Sequence, residues 1–490
     1  MTPPNILFIL SDQHSKEALG CYGDTTGATP HLDRLAAGGV VFDSAYCASP
    51  ICGPSRMSLM TGRQPHENRC WLNGDVLNSG TPTYTHALGA AGYRTALIGR
   101  MHFIGPDQLH GFAERRVGDH SANWPGNPTF DHGALSGTSG PNAVSLSLSG
   151  PGVNAYDLKD RDATAAAVDW LTAEGRRQQG GATEAFHMTL GFMLPHPPYV
   201  ADPEDHAAMK GKVAPPARAH PGEDEHLWHR EWRDICDIDR LDEAEVARSR
   251  QAYWGMVQRL DTHLGQVLEA LEAAGLRENT LVIYASDHGD HLGNRDLFWK
   301  HTFYEESAGV PLILNWPARL PAGHRRSAPV SLTDLAATML DAAQGAWSGG
   351  GDSLLPLAAD PDAPWRDAVV SEYCVGTRDS YARPHPSVSR MIRRGRYKLC
   401  YYHGYPPELF DLEADPQEQT DLAADPAHAP VRAALLTAVL ADWNPDEIAR
   451  ALGQRDRDAA LLADWARRTG PSESHRWDMP DGQRPSLAAE

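Results

Sequence analysis

The sequence predicts an α/β protein: a large, mostly parallel sheet sandwiched by helices, followed by a smaller antiparallel sheet near the C-terminus. Three observations predict it. Short uncharged apolar runs break off abruptly at polar residues, as strands buried on both faces of a parallel sheet do. The first is Asn5 to Ser11, which ends in Asp12-Gln13-His14. Stretches with apolar residues at three- and four-residue steps alternate with these runs up to about residue 350, the pattern of strands joined by crossover helices. Beyond Ser348-Gly349-Gly350-Gly351 the texture changes to short strands separated by turn residues.

The elements follow in order. Thr29-Pro30-His31-Leu32-Asp33-Arg34-Leu35 puts an N-cap threonine before a proline at the first helical position, a helix start. Val40 to Tyr46 reads as a strand leading into Ser49-Pro50-Ile51-Cys52-Gly53-Pro54-Ser55-Arg56. Pro54 is expected to open a helix with Met57, Leu59 and Met60 partly buried and a stop at Gly62, since a proline there loses no intrahelical hydrogen bond. Tyr84 to Ala91 reads as a helix closed by Gly92, and Tyr93 to Ile98 as a strand delivering Gly99-Arg100-Met101-His102. The Gly-, Pro- and Ser-rich stretch from Gly105 to Gly152 reads as a long loop region over the active face. Arg161 to Arg177 is helical, and Ala185 to Phe192 is a strand ending at Pro195-His196-Pro197-Pro198-Tyr199.

Glu243 to Gly275 is the longest helix, with Tyr253, Met256, Val257, Leu260, Leu264, Val267 and Leu271 on one stripe. The strand Thr280 to Ala285 runs into Ser286-Asp287-His288-Gly289, Pro311 to Trp316 is another strand, and Leu332 to Ala343 another helix. The later strands are Asp367 to Tyr373, Ser389 to Ile392, Tyr397 to Tyr402 and Leu409 to Leu412, with a helix from Val431 to Leu440. The expected division is a catalytic domain over 1–350, an antiparallel α+β subdomain over 351–445, and a terminal helix and tail over 446–490.

Hydrophobic residues make up 41% and charged residues 22% of the 490, the balance of a soluble globular chain. A formal net charge of -20 argues against nucleic acid or an anionic membrane as partner. An anionic substrate must then be drawn in by local positive charge. Met1-Thr2-Pro3-Pro4 leads directly into the first strand without a basic segment or cleavage site, and the seven scattered cysteines lack disulfide or zinc spacing. A cytoplasmic protein is the expectation.

Four strand ends carry the chemistry: Asp12-Gln13, Arg100 with His102, His196, and Asp287-His288. In such sheets ligands bind at the carboxyl ends of the strands. Carboxylates and an amide oxygen suit Ca²⁺, Mg²⁺ or Mn²⁺, and an imidazole leans toward Mn²⁺ or Zn²⁺. Cys52 sits beside a helix start with Arg56 one turn on, a nucleophile next to an anion cradle. Taken alone, the same stretch also reads as a buried, inert cysteine.

Cys52-Gly53-Pro54-Ser55-Arg56 resembles the signature of the type I sulfatase family of the alkaline phosphatase superfamily. Ser286-Asp287-His288-Gly289, Leu292-Gly293, Lys300 and Tyr304-Glu305-Glu306-Ser307 follow in the family's order. Arg394-Gly395-Arg396-Tyr397-Lys398-Leu399 and Glu408-Leu409-Phe410-Asp411-Leu412, with Asp415-Pro416, resemble its C-terminal subdomain. Gln13, His288 and the run Met101 to Phe112 are similar to the branch holding choline sulfatases and phosphonate monoester hydrolases. Two departures are Arg100, where the family has lysine, and Ala308-Gly309, where an arginine is usual before Val310-Pro311.

The resemblance implies an alkaline phosphatase-like fold and a formylglycine made from Cys52 by a formylglycine-generating or other maturing enzyme. One divalent ion, Ca²⁺ or Mn²⁺, is implied on Asp12, Gln13, residue 52, Asp287 and His288. Arg56 and His102 would hold and deprotonate the hydrated aldehyde, while Lys300, Arg100 and His196 would neutralise the sulfate or protonate the leaving oxygen. The implied substrate is a small sulfate monoester such as choline sulfate, with a phosphonate monoester or phosphodiester as the alternative and a silent binding protein as a third reading. A quaternary ammonium would want an aromatic cage, for which Trp71, Trp124 and Trp299 are candidates. A homo-oligomer is expected, with the tail around Trp477 closing a neighbouring subunit's site.

Overall fold

The computed structural model describes residues 3–488 apart from 218–221, 223–224, 239–241, 379–382 and 384. Its frame is an eight-stranded sheet of β1 (Asn5–Ser11), β2 (Val40–Phe42), β3 (Arg94–Gly99), β4 (Glu114–Arg116), β5 (Phe186–Gly191), β6 (Thr280–Ser286), β7 (Leu312–Asn315) and β8 (His324–Arg326). Across the sheet they run β8-β2-β7-β6-β1-β5-β3-β4. All pairings are parallel except those of β7, which runs antiparallel to β6 and β2. Every residue of β1, β5 and β6 is buried. This is why β1 and β6 read as apolar runs, while β5 interleaves the buried polar residues His187 and Thr189 with its apolar ones.

Register sets the site. Ser11 pairs with Ser286, Leu10 with Gly191, and Gly99 with Gly191, so β6, β1, β5 and β3 end level. The residues that follow each strand therefore emerge on one edge.

The helices that cover the sheet are α1 (Pro30–Ala37), α2 (Cys52–Thr61), α3 (Tyr84–Ala90), α4 (Ala155–Gln179), α5 (Glu243–Ala273) and α6 (Asp334–Ala343). α4 packs on α5, and α2, α3 and α6 form a second group. All seven apolar positions of the α5 stripe, from Tyr253 to Leu271, are buried. No helix among the described residues is long and apolar enough to cross a membrane.

Four local expectations change. α2 begins at Cys52, not Pro54, with Ile51 as an extended N-cap (φ -155°, ψ 141°). Pro54 is then the third helical residue, where its missing N–H is still without cost. Val40 to Tyr46 splits into β2 and a two-residue strand, Ala45–Tyr46, which joins a separate sheet with Gly309–Val310 and Val330–Ser331. The stretch from Gly105 to Gly152 holds the edge strand β4, whose Glu-Arg-Arg sequence carries no apolar signal because only an edge position is asked of it. It also holds part of Gly150–Val153, a strand between Val200–Ala201 and Ser486–Leu487.

The C-terminal sheet is antiparallel in chain order: β9 (Ala368–Val375), β10 (Ser387–Arg394), β11 (Tyr397–Tyr402) and β12 (Glu408–Asp411). One face joins the main core through Tyr373, Met391, Cys400 and Tyr402. The other face places Ile392, Leu399 and Leu409 against Leu435 and Val439 of α7 (Ala429–Val439). α8 (Pro445–Thr469) follows, and the tail then returns to its own chain beside Asp119 and Gly152.

Candidate active site

Cys52 heads α2 and is fully buried. Its Sγ lies 3.1 Å from His288 Nε2, 3.2 Å from Lys300 Nζ and 3.4 Å from Asp12 Oδ1. Ligand atoms of Asp12, Cys52, Asp287 and His288 all fall within 4.8 Å of one another. Two level strand ends and one helix start thus meet at a single point.

Hydrogen bonds orient each member. His288 Nδ1 donates to the Gly289 carbonyl at 3.0 Å, which leaves the Nε2 lone pair facing Cys52. Asp287 Oδ1 accepts the backbone N–H of Gln13 and of His288, both at 3.0 Å. Gln13 Nε2 donates to Asp290 Oδ2 at 2.6 Å, so Oε1 turns the other way and accepts from Lys300 Nζ at 2.7 Å. The Lys300 ammonium gives its remaining contacts to Cys52 Sγ and to His196 Nε2, each at 3.2 Å. His196 Nδ1 donates to the Pro197 carbonyl at 2.7 Å, so its Nε2 carries the lone pair toward Lys300.

The arginines are struts. Arg56, wholly buried, donates Nε to Asp287 Oδ2 at 2.8 Å, Nη2 to Asp12 Oδ2 at 3.1 Å and Nη1 to the Arg100 carbonyl at 3.2 Å. Arg100 donates Nε to Asp12 Oδ2 at 2.6 Å, Nη1 to Asp119 Oδ1 at 3.0 Å and Nη2 to His102 Nδ1 at 2.8 Å. Each guanidinium is directed at protein groups. A guanidinium can only donate, so His102 Nδ1 is the acceptor and Nε2 bears the proton.

Burial alone would raise the Asp12 carboxyl, but Arg100, His196, Arg56 and Lys300 hold it well below the usual carboxylate range. Burial, aided by Asp12, pushes the Cys52 thiol up to about 12 against the pull of Lys300. The thiol is neutral near pH 7 and a poor nucleophile as it stands. Burial lowers His102 and His196 well below the ordinary imidazole value, with Arg100 and Lys300 respectively adding to the effect.

The donor set fits a hard divalent ion. His288 Nε2 lies 3.8 Å from Asp12 Oδ1 and 3.6 Å from Asp287 Oδ1, separations that ligands roughly 2.0–2.6 Å from one ion adopt. Gln13 Oε1 is turned toward the same cluster by Asp290.

Several participants carried no sequence signal as read. Asp290 follows the Asp287-His288-Gly289 motif by one residue, and its place in that motif was the available clue. Asp119 lies in the stretch read as loop. The three candidate tryptophans each have another partner: Trp71 lies under Arg69, Trp124 against Trp465, and Trp299 donates to Ser145. A different aromatic wall starts at His196. It runs through Tyr156 (5.7 Å between ring centroids) and His132 (5.3 Å) to Phe130 (5.1 Å) and the stacked Trp477 (5.6 Å).

A group of side chains that could hold a metal ion, a buried residue at a helix start and a lysine thus lie together at the carboxyl edge of a mostly parallel sheet. The chain belongs to the sulfatase family, whose members are sulfuric ester hydrolases. The family model described as Sulfatase matches residues 4–346, and one described as N-sulphoglucosamine sulphohydrolase, C-terminal, matches 293–443. The chain is 33% identical to a choline-sulfatase of Rhizobium meliloti (strain 1021) over 99% of its own length and 94% of that protein. It is 29% identical to the multifunctional alkaline phosphatase superfamily protein PehA of Trinickia caryophylli, over 88% and 93% respectively. The solved phosphonate monoester hydrolase of Agrobacterium radiobacter superposes with a TM-score of 0.70 at 25% identity, covering 89% of this chain and 95% of that one.

Proposed function

We propose that the protein hydrolyses a small sulfate monoester at a formylglycine generated from Cys52 by a maturing enzyme, with one divalent ion, Ca²⁺ or Mn²⁺. The observation that carries this reading is the convergence of Asp12, His288 and Lys300 on Cys52 Sγ, all within 3.4 Å. The hydrated aldehyde supplies a nucleophilic oxygen and the ion supplies Lewis acidity.

The chain's own residues do the rest. Asp12, Gln13, Asp287 and His288 hold the ion, and Arg56 fixes the two carboxylates relative to each other. Lys300 neutralises a sulfate oxygen and is the proton source for the leaving oxygen, with His196 Nε2 placed to receive or return that proton. His102 acts as an Nε2–H donor held by Arg100. The leaving group is a small alcohol of the choline type, which the aromatic wall from His196 to Trp477 suits. At the outer end of that wall, a groove of about 550 Å³ is lined by Phe130, Asp131, Glu473 and Asp478, with Arg476 and His475 beside them.

A second reading, a phosphonate monoester or phosphodiester hydrolase, is favoured by the likeness to the Agrobacterium radiobacter phosphonate monoester hydrolase. Mass spectrometry of the Cys52 peptide, with rates on matched aryl sulfate, aryl phosphonate and choline sulfate, tests the proposal. An intact thiol with no sulfate turnover sinks it. A faster phosphonate rate selects the second reading.

A further inference from the structure

Asp119 joins the hydrolytic centre to the C-terminal tail. Its buried carboxylate accepts Arg100 Nη1 at 3.0 Å and the His102 backbone N–H at 2.9 Å. Its backbone is bound on both sides by the tail: its N–H donates to the His475 carbonyl at 3.0 Å, and its carbonyl accepts the Trp477 N–H at 2.8 Å. Gly118 makes this approach possible, because a Cβ there would stand 1.6 Å from the His475 oxygen.

The tail is bound near both of its ends. The Ser474 N–H donates to Asn123 Oδ1 at 2.7 Å, and Trp477 Nε1 donates to Asp162 at 2.8 Å. Ser486–Leu487 pairs with Gly152 and Val153, and the Ala488 N–H donates to the Pro151 carbonyl at 2.8 Å. A purely structural terminus has no need to grip the backbone of the residue whose carboxylate orients both Arg100 and His102.

We propose that residues 471–488 form a strap that clamps Asp119, and that Asp119 is a positioning residue: through it the strap sets Arg100 against Asp12 and His102 in its donor tautomer. The role in turnover rests on the hydrolytic reading above; the mechanical link does not. The strap binds its own chain.

The test uses the full-length protein and G118A, which alters no group at the centre, together with truncation after Gly470. Three readouts apply: tryptic cleavage at Arg476, hydrogen exchange at the His102 amide, and kcat and KM on p-nitrophenyl sulfate. G118A should expose the tail to trypsin, speed His102 exchange about tenfold or more, and lower kcat roughly 10- to 100-fold with KM changed far less. Asp119→Asn should lower kcat while the tail stays resistant. If the truncated chain does not fold, G118A carries the comparison. A freed tail with His102 exchange and kcat at wild-type values overturns the proposal. A tail that stays trypsin-resistant in G118A overturns it as well. Failure of the wild-type protein to turn over any sulfate ester counts against the proposed function alone, because amide exchange reads the strap without substrate.

Discussion

Asp290 accepts the side-chain amide of Gln13 at 2.6 Å and thereby decides which end of that amide faces Lys300 and the ligand cluster. Its other oxygen takes the backbone N–H of Leu292 at 3.0 Å and of Trp299 at 2.9 Å, and Tyr199 OH donates to the same oxygen as Gln13. An amide oriented on one side by a carboxylate cannot turn its nitrogen toward a cation. Replacing Asp290 with Ala frees Gln13 to flip, and divalent-ion affinity should fall about 10- to 100-fold. Titration calorimetry with Ca²⁺ and Mn²⁺ checks this; unchanged affinity would remove Gln13 from the ligand set.

Cys52→Ala removes the atom on which Asp12, His288 and Lys300 converge. Turnover of an aryl sulfate should drop at least roughly a thousand-fold, with the melting temperature changed by only a few degrees. Steady-state rates alongside a thermal melt separate the two effects. A variant retaining most of the activity would place the nucleophile elsewhere.

Removing the divalent ion should also loosen the fold, since Asp12 and Asp287 are brought together against their charge. An ion present at a hundred times its Kd adds about 2.7 kcal/mol to the folded state. Chelation should therefore lower the melting temperature, and adding Ca²⁺ or Mn²⁺ back should restore it in a concentration-dependent way. A melt indifferent to chelator and metal alike would contradict an ion at this cluster.

His187 lies in β5, packed against Tyr84 and Phe112, and burial lowers its imidazole from the usual 6.5 to about 3. Between those values the unfolded chain holds a proton that the folded chain lacks. Stability on this account is complete above pH 6.5 and is lost as pH falls toward 3. The loss should reach about 1–2 kcal/mol by pH 5. Urea unfolding at pH 7 and pH 5 measures it, and His187→Phe should flatten that part of the slope. An identical slope in the variant would assign the acid sensitivity to other groups.

The strand-and-helix frame was legible because β1 and β6, covered on both faces, are apolar along most of their length, and α5 must present one stripe. The metal-ligand residues were legible for the related reason that polar groups follow each buried run directly. What the sequence hid depended on partners distant in the chain. Nothing in Asp43-Ser44 marks the point where the chain leaves one sheet for another. Glu114-Arg115-Arg116 reads as loop until β3 lies beside it. Arg100 looks like an anion-binding cation, and only the placement of Asp12, Asp119 and His102 around it shows its donors directed inward. The three tryptophans were chosen by residue type alone, and type does not say which ring meets which.

The pairing of Ser11 with Ser286 has a consequence for how the chain comes to life. Gln13 and Asp287, 274 residues apart in sequence, meet only when β1 and β6 lie in that alignment, and a shift by a single position would turn one carboxylate to the far side of the sheet. During synthesis the first strand can pair with β5 early, but its other edge must wait, unpaired, until more than half the protein has been made. Hydrolytic activity is thus a late signal, and its recovery after denaturation should report completion of this long-range pairing rather than early collapse.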